Sequence, residues 1–498
     1  MEKRSGAGMV NKKLQKQPAI SPVVDPAKRE KLSTPIRLSE VLNAGFRLEA
    51  SAFNIEARRA VKELHDSGLP LQPLFGEKGL CKFAHNAFRF KRHYVAPEHG
   101  APFLSSSDII SIRPEPKAYL SWKLTHKLDE LLVQKWDVLI SCSGTIGNVG
   151  LASETVAGKA VSQHVIRLRA ENADIAGYIT AFLRSPFGRL QLALATYGSV
   201  VQHIEPLHLQ KVLIPDLKPI LMLEIGRKVR QAYEWRDEAN RLLTEADKLL
   251  HTHLKLPPLP AKQKHGPTVS KVKASNLHWR FEGSFHDPVA AEAERIIRNL
   301  PMDIAELGDP RVTEEIRPIT KFRKRVYVPK GGIPLLSSKQ LFQIDPIEIN
   351  RLALGAHQKD MEEIGLEENM ILITRSGTIG RVQITPAYMT GWAASEDATR
   401  IISSTCHNPG YLYALLASDY GSFLIKRLSY GSVVVHVDLG MLSTIPVPLP
   451  GSAIENEIGD LVLKANRLRS QAWDSEQEGI AQLEKLIKEN SGRPKTTI

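Results

Sequence analysis

The chain repeats itself. Residues 143–147 read Ser-Gly-Thr-Ile-Gly, and residues 376–380 read the same, an offset of 376 − 143 = 233. The same shift carries Arg47 onto Arg280, Glu49 onto Glu282 and Tyr178 onto Tyr411. It also carries Tyr197-Gly198-Ser199-Val200-Val201 onto Tyr430-Gly431-Ser432-Val433-Val434, His203 onto His436 and Pro215 onto Pro448. A repeat this long means one supersecondary plan built twice, so any activity has two similar, non-identical halves. Such a pseudo-dimer suits a partner with two sites on one axis.

Composition narrows the partner. Lys and Arg number 66 against 54 Asp and Glu, a net charge of +12 and a pI near 9.4. That excess favours a polyanion such as nucleic acid. Cys81, Cys142 and Cys406 have no CxxC or Cys/His ligand spacing, which points to a reducing compartment without a disulfide framework or zinc site. No run approaches ~18 apolar residues, so no membrane partner is expected and the chain is assigned to the cytoplasm. Residues 1–34 lack the apolar core of a signal peptide and read as a disordered basic arm.

The first globular unit is assigned to 35–216. Short β-branched runs such as Asp108 to Ile112, Val138 to Ile140, Val161 to Leu168 and Val212 to Ile214 read as strands. Asn54 to Ser67 and Ile175 to Ala195 carry helical spacing. From Pro219 the pattern changes to a heptad seam that includes Ile225, Val229, Ala232, Ala239 and Ala246. Its copies are Ile458, Val462, Ala465 and Ala472. Spacer helices are therefore expected within 217–256 and 451–490, with a Pro-rich linker at 257–268, a second unit at 269–450 and a tail at 491–498. Small seam residues allow close approach, and the pseudo-twofold layout favours antiparallel packing. The fold class is α+β: two pseudo-symmetric mixed α/β recognition units separated by two long coiled-coil helices.

Glycines 144, 147 and 150 resemble a phosphate cradle, but the third is Gln383 in the copy and no Lys-Ser or Lys-Thr follows. A tight turn with positive-φ glycines is one reading, and backbone contact with DNA phosphate the other. His203 with Glu205, and His436 with Asp438, lack a third metal ligand or a nucleophile and read as hydrogen-bonded pairs near a strand edge. His407-Asn408-Pro409-Gly410-Tyr411 only grazes an amino-methyltransferase motif, and its match to Gly177-Tyr178 makes it scaffold. No catalytic residue, metal site or cofactor-binding signature is identified. Basic residues among aromatics are more telling. Lys91, Arg92 and His93 recur as Arg323, Lys324 and Arg325 at a shift of 232, and are assigned to DNA contact. The upstream half of each unit follows that shift, as Pro102 and Pro334 show, so one residue is gained before the glycine loop. Residues 115–137 and 347–370 scarcely match, as expected if the two units read different short sequences on a common frame.

The two glycine loops, the Arg47-Leu48-Glu49 and Arg280-Phe281-Glu282 starts, the strands ending at Pro215 and Pro448, and the helix after each unit resemble the specificity (S) subunit of type I restriction-modification systems. The resemblance covers nearly the whole chain after about residue 35. It implies two target-recognition domains on a bipartite duplex DNA site, with the helices as spacer. It also implies two N6-adenine methyltransferase (M) subunits docked on the helices, and ATP-dependent restriction (R) subunits that cut. S-adenosylmethionine and ATP would then sit on those partners and no cofactor on this non-catalytic chain. The basic arm and Pro-rich connector depart from the usual plan. Two other readings stay open: a pseudo-symmetric enzyme using the glycine loops as anion sites, and a scaffolding adaptor that never touches DNA.

Overall fold

Val138–Ser141 and Ile371–Thr374 are buried at every position, which explains why they read as continuous apolar runs and not as alternating ones. Each is the inner strand of an antiparallel four-stranded sheet. In the first unit the order is Phe83–Asn86, Val165–Arg169, Val138–Ser141, Val149–Leu151. In the second it is Thr313–Arg317, Ala398–Ser403, Ile371–Thr374, Val382–Ile384. A smaller sheet lies beside each, closed by a parallel pair: Gly100–Leu104 with Ala160–Val161, and Ile333–Leu336 with Ala393–Ala394. The computed structural model describes residues 35–43, 46, 48, 50–196, 203–260, 269, 271–277, 280–317, 324–431 and 435–491. The basic arm, Arg47, Glu49, the Tyr197–Val201 segment, residues 432–434, most of the Pro-rich connector, Arg323 and the tail from 492 lie outside the described residues.

Strand pairing fixes the repeat more finely than sequence matching. Leu71 faces Pro215 as Ile304 faces Pro448, an offset of 233. His85 faces Arg167 as Arg317 faces Arg400, so the offset of the first strand has fallen to 232. Tyr94 then faces Leu120 as Tyr327 faces Leu352, which restores 233 at Tyr94 and leaves 232 at Leu120. The single length change expected from sequence is therefore a series of compensating ones. Each falls in a loop, where an added residue leaves the sheet's hydrogen bonds intact.

Other local expectations also shift. Ile175 to Ala195 is two helices, Ala173–Arg184 and Pro186–Leu194, because Ser185 caps the second and Pro186 cannot donate to the first. The run Val161 to Leu168 is interrupted between Val161 and Val165, so its halves enter different sheets. Asp108–Ile110 is a 3-10 turn and not a strand, held by Ser105 N donating to Asp108 Oδ2 at 2.8 Å. The glycine loops are hairpin turns with φ of 76° and 85° at Gly144 and Gly147, and 74° and 75° at Gly377 and Gly380. Gly147 N donates to Ser141 O and Gly380 N to Thr374 O, so those amides already have acceptors.

Pro219–His253 and Ser452–Ser491 are continuous helices of 35 and 40 residues, the first about 50 Å long at ~1.5 Å per residue. They run antiparallel: His253 meets Glu457, Arg236 meets Glu476, Lys228 meets Glu478, and Glu224 meets Gln482. Ile225, Val229, Ala232, Ala239, Ile458, Val462, Ala465 and Ala472 are all 0% exposed. Each unit packs on the start of its own helix and the end of the other: Ile225 and Ile480 share the first core, Ile458 and Leu250 the second.

At the joints with their own helices, backbones nearly touch. A Cβ on Gly177 would lie 2.1 Å from Gly226 O, and one on Gly410 2.2 Å from Gly459 O. All four glycines obey the 233 offset. Tyr178 Oη donates to Pro215 O at 2.6 Å and Tyr411 Oη to Pro448 O at 2.7 Å, tying the last strand to the same helix. The His-Asn-Pro-Gly-Tyr run is thus part of a joint, with Asn408 capping the helix Pro409–Ala417.

The units are separate cores but also touch directly, which the sequence did not indicate. Ile112 N donates to Phe342 O at 2.9 Å, and Ile344 N to Ile110 O at 2.8 Å. Ser111 and Gln343, equivalent at 343 − 111 = 232, face each other in this bridge. A pseudo-twofold axis therefore passes between them.

Candidate nucleic-acid interface

The basic cluster of the first unit precedes the short strand Tyr94–Val95, whose pairing with Ala118–Ser121 fixes where its side chains emerge. Lys91 and Arg92 are exposed, while His93 is partly buried and accepts Ser121 N on its carbonyl at 2.9 Å. Arg92 donates to Gln163 Oε1 at 3.2 Å and lies 5.5 Å from the Phe103 ring centre. In the second unit Lys324 and Arg325 are exposed, and Arg325 pairs with Glu396. Strand register makes Arg325 the counterpart of Arg92, with Gln163 and Glu396 as the matching acceptors, so the shift of 232 used for this cluster is corrected to 233. The cause is a one-residue insertion ahead of the cluster in the second unit, in the loop after the edge strand.

A cleft of ≈ 740 Å³ opens beside Arg92's unit, lined among others by His85, Arg89, His126, Gln163, His164 and His203. Burial first, then the cations Arg167 and Arg92, hold His85 and His164 below the ordinary imidazole pKa. Both rings are therefore neutral at neutral pH, each with one donor and one acceptor nitrogen, and His164 Nε2 already meets Gln163 Nε2 at 3.2 Å. His164 Nδ1 is already bonded to Ser143 Oγ, while His85 Nε2 is buried without a partner. At the matching positions the second unit carries Arg317, Glu396 and Asp397. The equivalent positions of the two units thus carry different chemistry on one frame. Sequence reasoning missed these residues, although Ser162-Gln163-His164 against Ser395-Glu396-Asp397 held the signal: polar divergence directly after a repeated serine.

The His-x-acid pairs lie where a strand bridge gives way to a turn. His203 bridges to Ser143 and His436 to Ser376, while each acid begins the next turn. Glu205 stands at the N-cap of Pro206–Lys211, and Asp438 accepts Met441 N at 3.2 Å. The acid is used to cap a helix, because a turn so short leaves its N–H groups in need of an acceptor. Among the described residues no group of three or more His, Cys, Asp or Glu could hold a metal ion, and no described helix is long and apolar enough to cross a membrane.

Residues 317–467 match the family model of the type I restriction modification DNA specificity domain. Over these residues the second unit is similar to that family. The match takes in the central sheet from Arg317 onward, the hairpin glycines, the joint at Gly410 and Gly459, and the first turns of the second long helix. Since the first unit repeats those parts at an offset of 233, the specificity-domain plan occurs twice. The family's work is recognition of DNA sequence for restriction-modification. Among solved structures the chain is similar to a type I restriction-modification S subunit from M. genitalium, at 14% identity over 86% of this chain and 100% of that one, with a TM-score of 0.33. It is also similar to the HsdS subunit from Thermoanaerobacter tengcongensis, at 15% identity over 83% and 99%, with a TM-score of 0.25. No curated protein matches the chain.

Each specificity domain grips its own helix by different means. Asp237 accepts hydrogen bonds from Ser153 Oγ at 2.7 Å, Glu154 N at 2.9 Å and Thr155 N at 3.0 Å. Ser470 stands at the equivalent position, and there Trp473 stacks on Tyr388, centroids 4.6 Å apart and planes 8° apart. One contact is polar, the other aromatic.

Proposed function

We propose that the chain reads a bipartite duplex DNA target, one half-site per specificity domain, with the antiparallel helices setting the distance between halves. The observation that carries this reading is the equivalence of Arg92 and Arg325 across a pseudo-twofold axis, each beside polar residues that differ, Gln163 and His164 against Glu396 and Asp397. A duplex offers phosphates with the same symmetry and base edges without it. Lys91, Arg92, His93, Lys324 and Arg325, with Arg323 from the undescribed segment, supply phosphate or base contacts. The amide and imidazole groups of the first unit's cleft, and Arg317, Glu396 and Asp397 at the equivalent positions of the second unit, supply specificity. The outer faces of the helices receive two methyltransferase subunits, and restriction subunits join that assembly. Methyl donor and ATP belong to those partners.

Arg92→Ala is expected to relax one half-site by about 1–3 kcal/mol, roughly five- to 150-fold, and Arg325→Ala the other. Mapping methylated adenines in DNA from cells that express each variant with its methyltransferase checks this. Equal loss of both half-sites in either variant would refute modular reading.

A further inference from the structure

The two sides of the pseudo-twofold axis are filled differently. On the first side Arg184 is 3% exposed and donates to Val149 O, to Tyr233 Oη and to Glu476. Asp345 lies 3.5 Å from it and also pairs with Arg189. On the second side the counterpart of Arg184 is Ala417, of Arg189 Ser422, of Glu476 Leu243 and of Asp345 Arg113. Both arginines and both carboxylates are gone, and a different arginine, Arg113, has arrived.

What remains is a cavity of ≈ 320 Å³ lined by Arg113, Lys117, Arg381, Lys426 and Arg469, with Glu115 as the carboxylate among its lining residues. Glu115 is engaged by Arg113 at 3.0 Å. Arg469, the counterpart of Arg236, is 5% exposed, and its Nη1 is buried without a partner. Gln383 is 2% exposed, and its Nε2 is a second buried donor without an acceptor. Arg381 lies 3.7 Å from the centre of the Phe342 ring, which also lines the cavity. Two orphan donors on residues that line a cation-rich cavity call for an acceptor, since each buried unmet donor costs about 1–3 kcal/mol. Burial also lowers the pKa of Arg381 and of Arg469, as when a guanidinium loses solvent without gaining a full counter-charge.

We infer that this cavity binds one phosphate-class oxyanion, held by Arg469, Arg381 and Gln383 at the junction of both specificity domains and the second long helix. The anion takes the place that the Glu476 and Asp345 carboxylates occupy across the axis. It ties Arg113 of the first unit to Arg381 of the second, so it bears on how the two are fixed together and is separate from the DNA-reading clefts.

Calorimetric titration of inorganic phosphate into the full-length chain without DNA, at constant ionic strength, tests the inference. One saturable site is expected, its dissociation constant raised at least about tenfold by Arg381→Gln and left unchanged by Arg92→Ala. Gln383→Leu should weaken phosphate binding while leaving or raising the melting temperature, because it removes an orphan donor; a merely structural glutamine would lower it. Adenosine monophosphate in a second arm distinguishes a phosphate monoester from the free anion, and tighter binding of either with the same Arg381 dependence supports the site. No saturable heat with either up to ~10 mM, or binding indifferent to both Arg381→Gln and Gln383→Leu, overturns it.

Discussion

Gly226→Ala is expected to destabilise the protein by about 3 kcal/mol or more, although alanine is the better helix former. In an open helix the change should help by ~0.5–1 kcal/mol, since glycine has more backbone freedom to lose. Here the added Cβ would sit 1.7 Å from Asp174 O and 2.6 Å from its carbonyl carbon, both backbone atoms with nowhere to go. Moving the helix Ala173–Arg184 away from Pro219–His253 would open the first core along Ile179, Tyr178 and Ile225; overpacking typically costs ~1–3 kcal/mol and occasionally more, and a clash with rigid backbone belongs at or above the top of that range, outweighing the propensity gain. Gly459→Ala should act likewise through Asn408, whose Oδ1 would be 2.2 Å away. Gly355→Ala is the control, because nothing lies within 4 Å of its Cβ position. Differential scanning calorimetry should show a fall of roughly 6–12 °C for Gly226→Ala, taking ~2–4 °C per kcal/mol, and almost none for Gly355→Ala. An unchanged or raised melting temperature for Gly226→Ala would mean that the close helix crossing does not hold the domain.

The second large effect is expected at Glu476. It is 0% exposed on the second helix and meets Arg236 of the first helix at 2.7 Å as well as Arg184 of the first domain. Three elements distant in sequence converge on one carboxylate. Burial disfavours the Arg184 charge, and Glu476 is the largest of the groups that restore it. Glu476→Gln leaves two buried guanidiniums with Asp345 alone nearby, and breaking a buried network from one side costs about 3–5 kcal/mol. Replacing the cluster as a whole, by Arg184→Met, Arg236→Met and Glu476→Leu together, should recover most of that loss, because no charge is then stranded. Urea unfolding of both variants measures the difference. A cost below about 1 kcal/mol for Glu476→Gln would show that water reaches the cluster and that it does not lock the domain onto the helices.

The repeat, the α+β class and the two long helices were legible because each leaves a local signature. Ser-Gly-Thr-Ile-Gly recurs since a tight hairpin needs positive φ at fixed places, and the alanine-rich seam recurs since two helices must approach closely. Asp108 to Ile112 misled for the same reason that the others succeeded: β-branched composition reports burial, and Ile109 and Ile110 are buried in a turn instead of a strand. The basic clusters were visible, but their alignment was off by one because a loop insertion is silent until strand pairing is known.

What the sequence alone determined is the doubled plan and its spacer, since periodicity and turn chemistry are properties of neighbouring residues. What only the tertiary structure decided is which residues from different segments share a space. His85, His164 and His203 line one cleft; Arg184, Arg236 and Glu476 close one side of the axis; Arg113, Arg381 and Arg469 surround a cavity on the other. Burial of a charge depends on partners hundreds of residues away, and no local pattern encodes it.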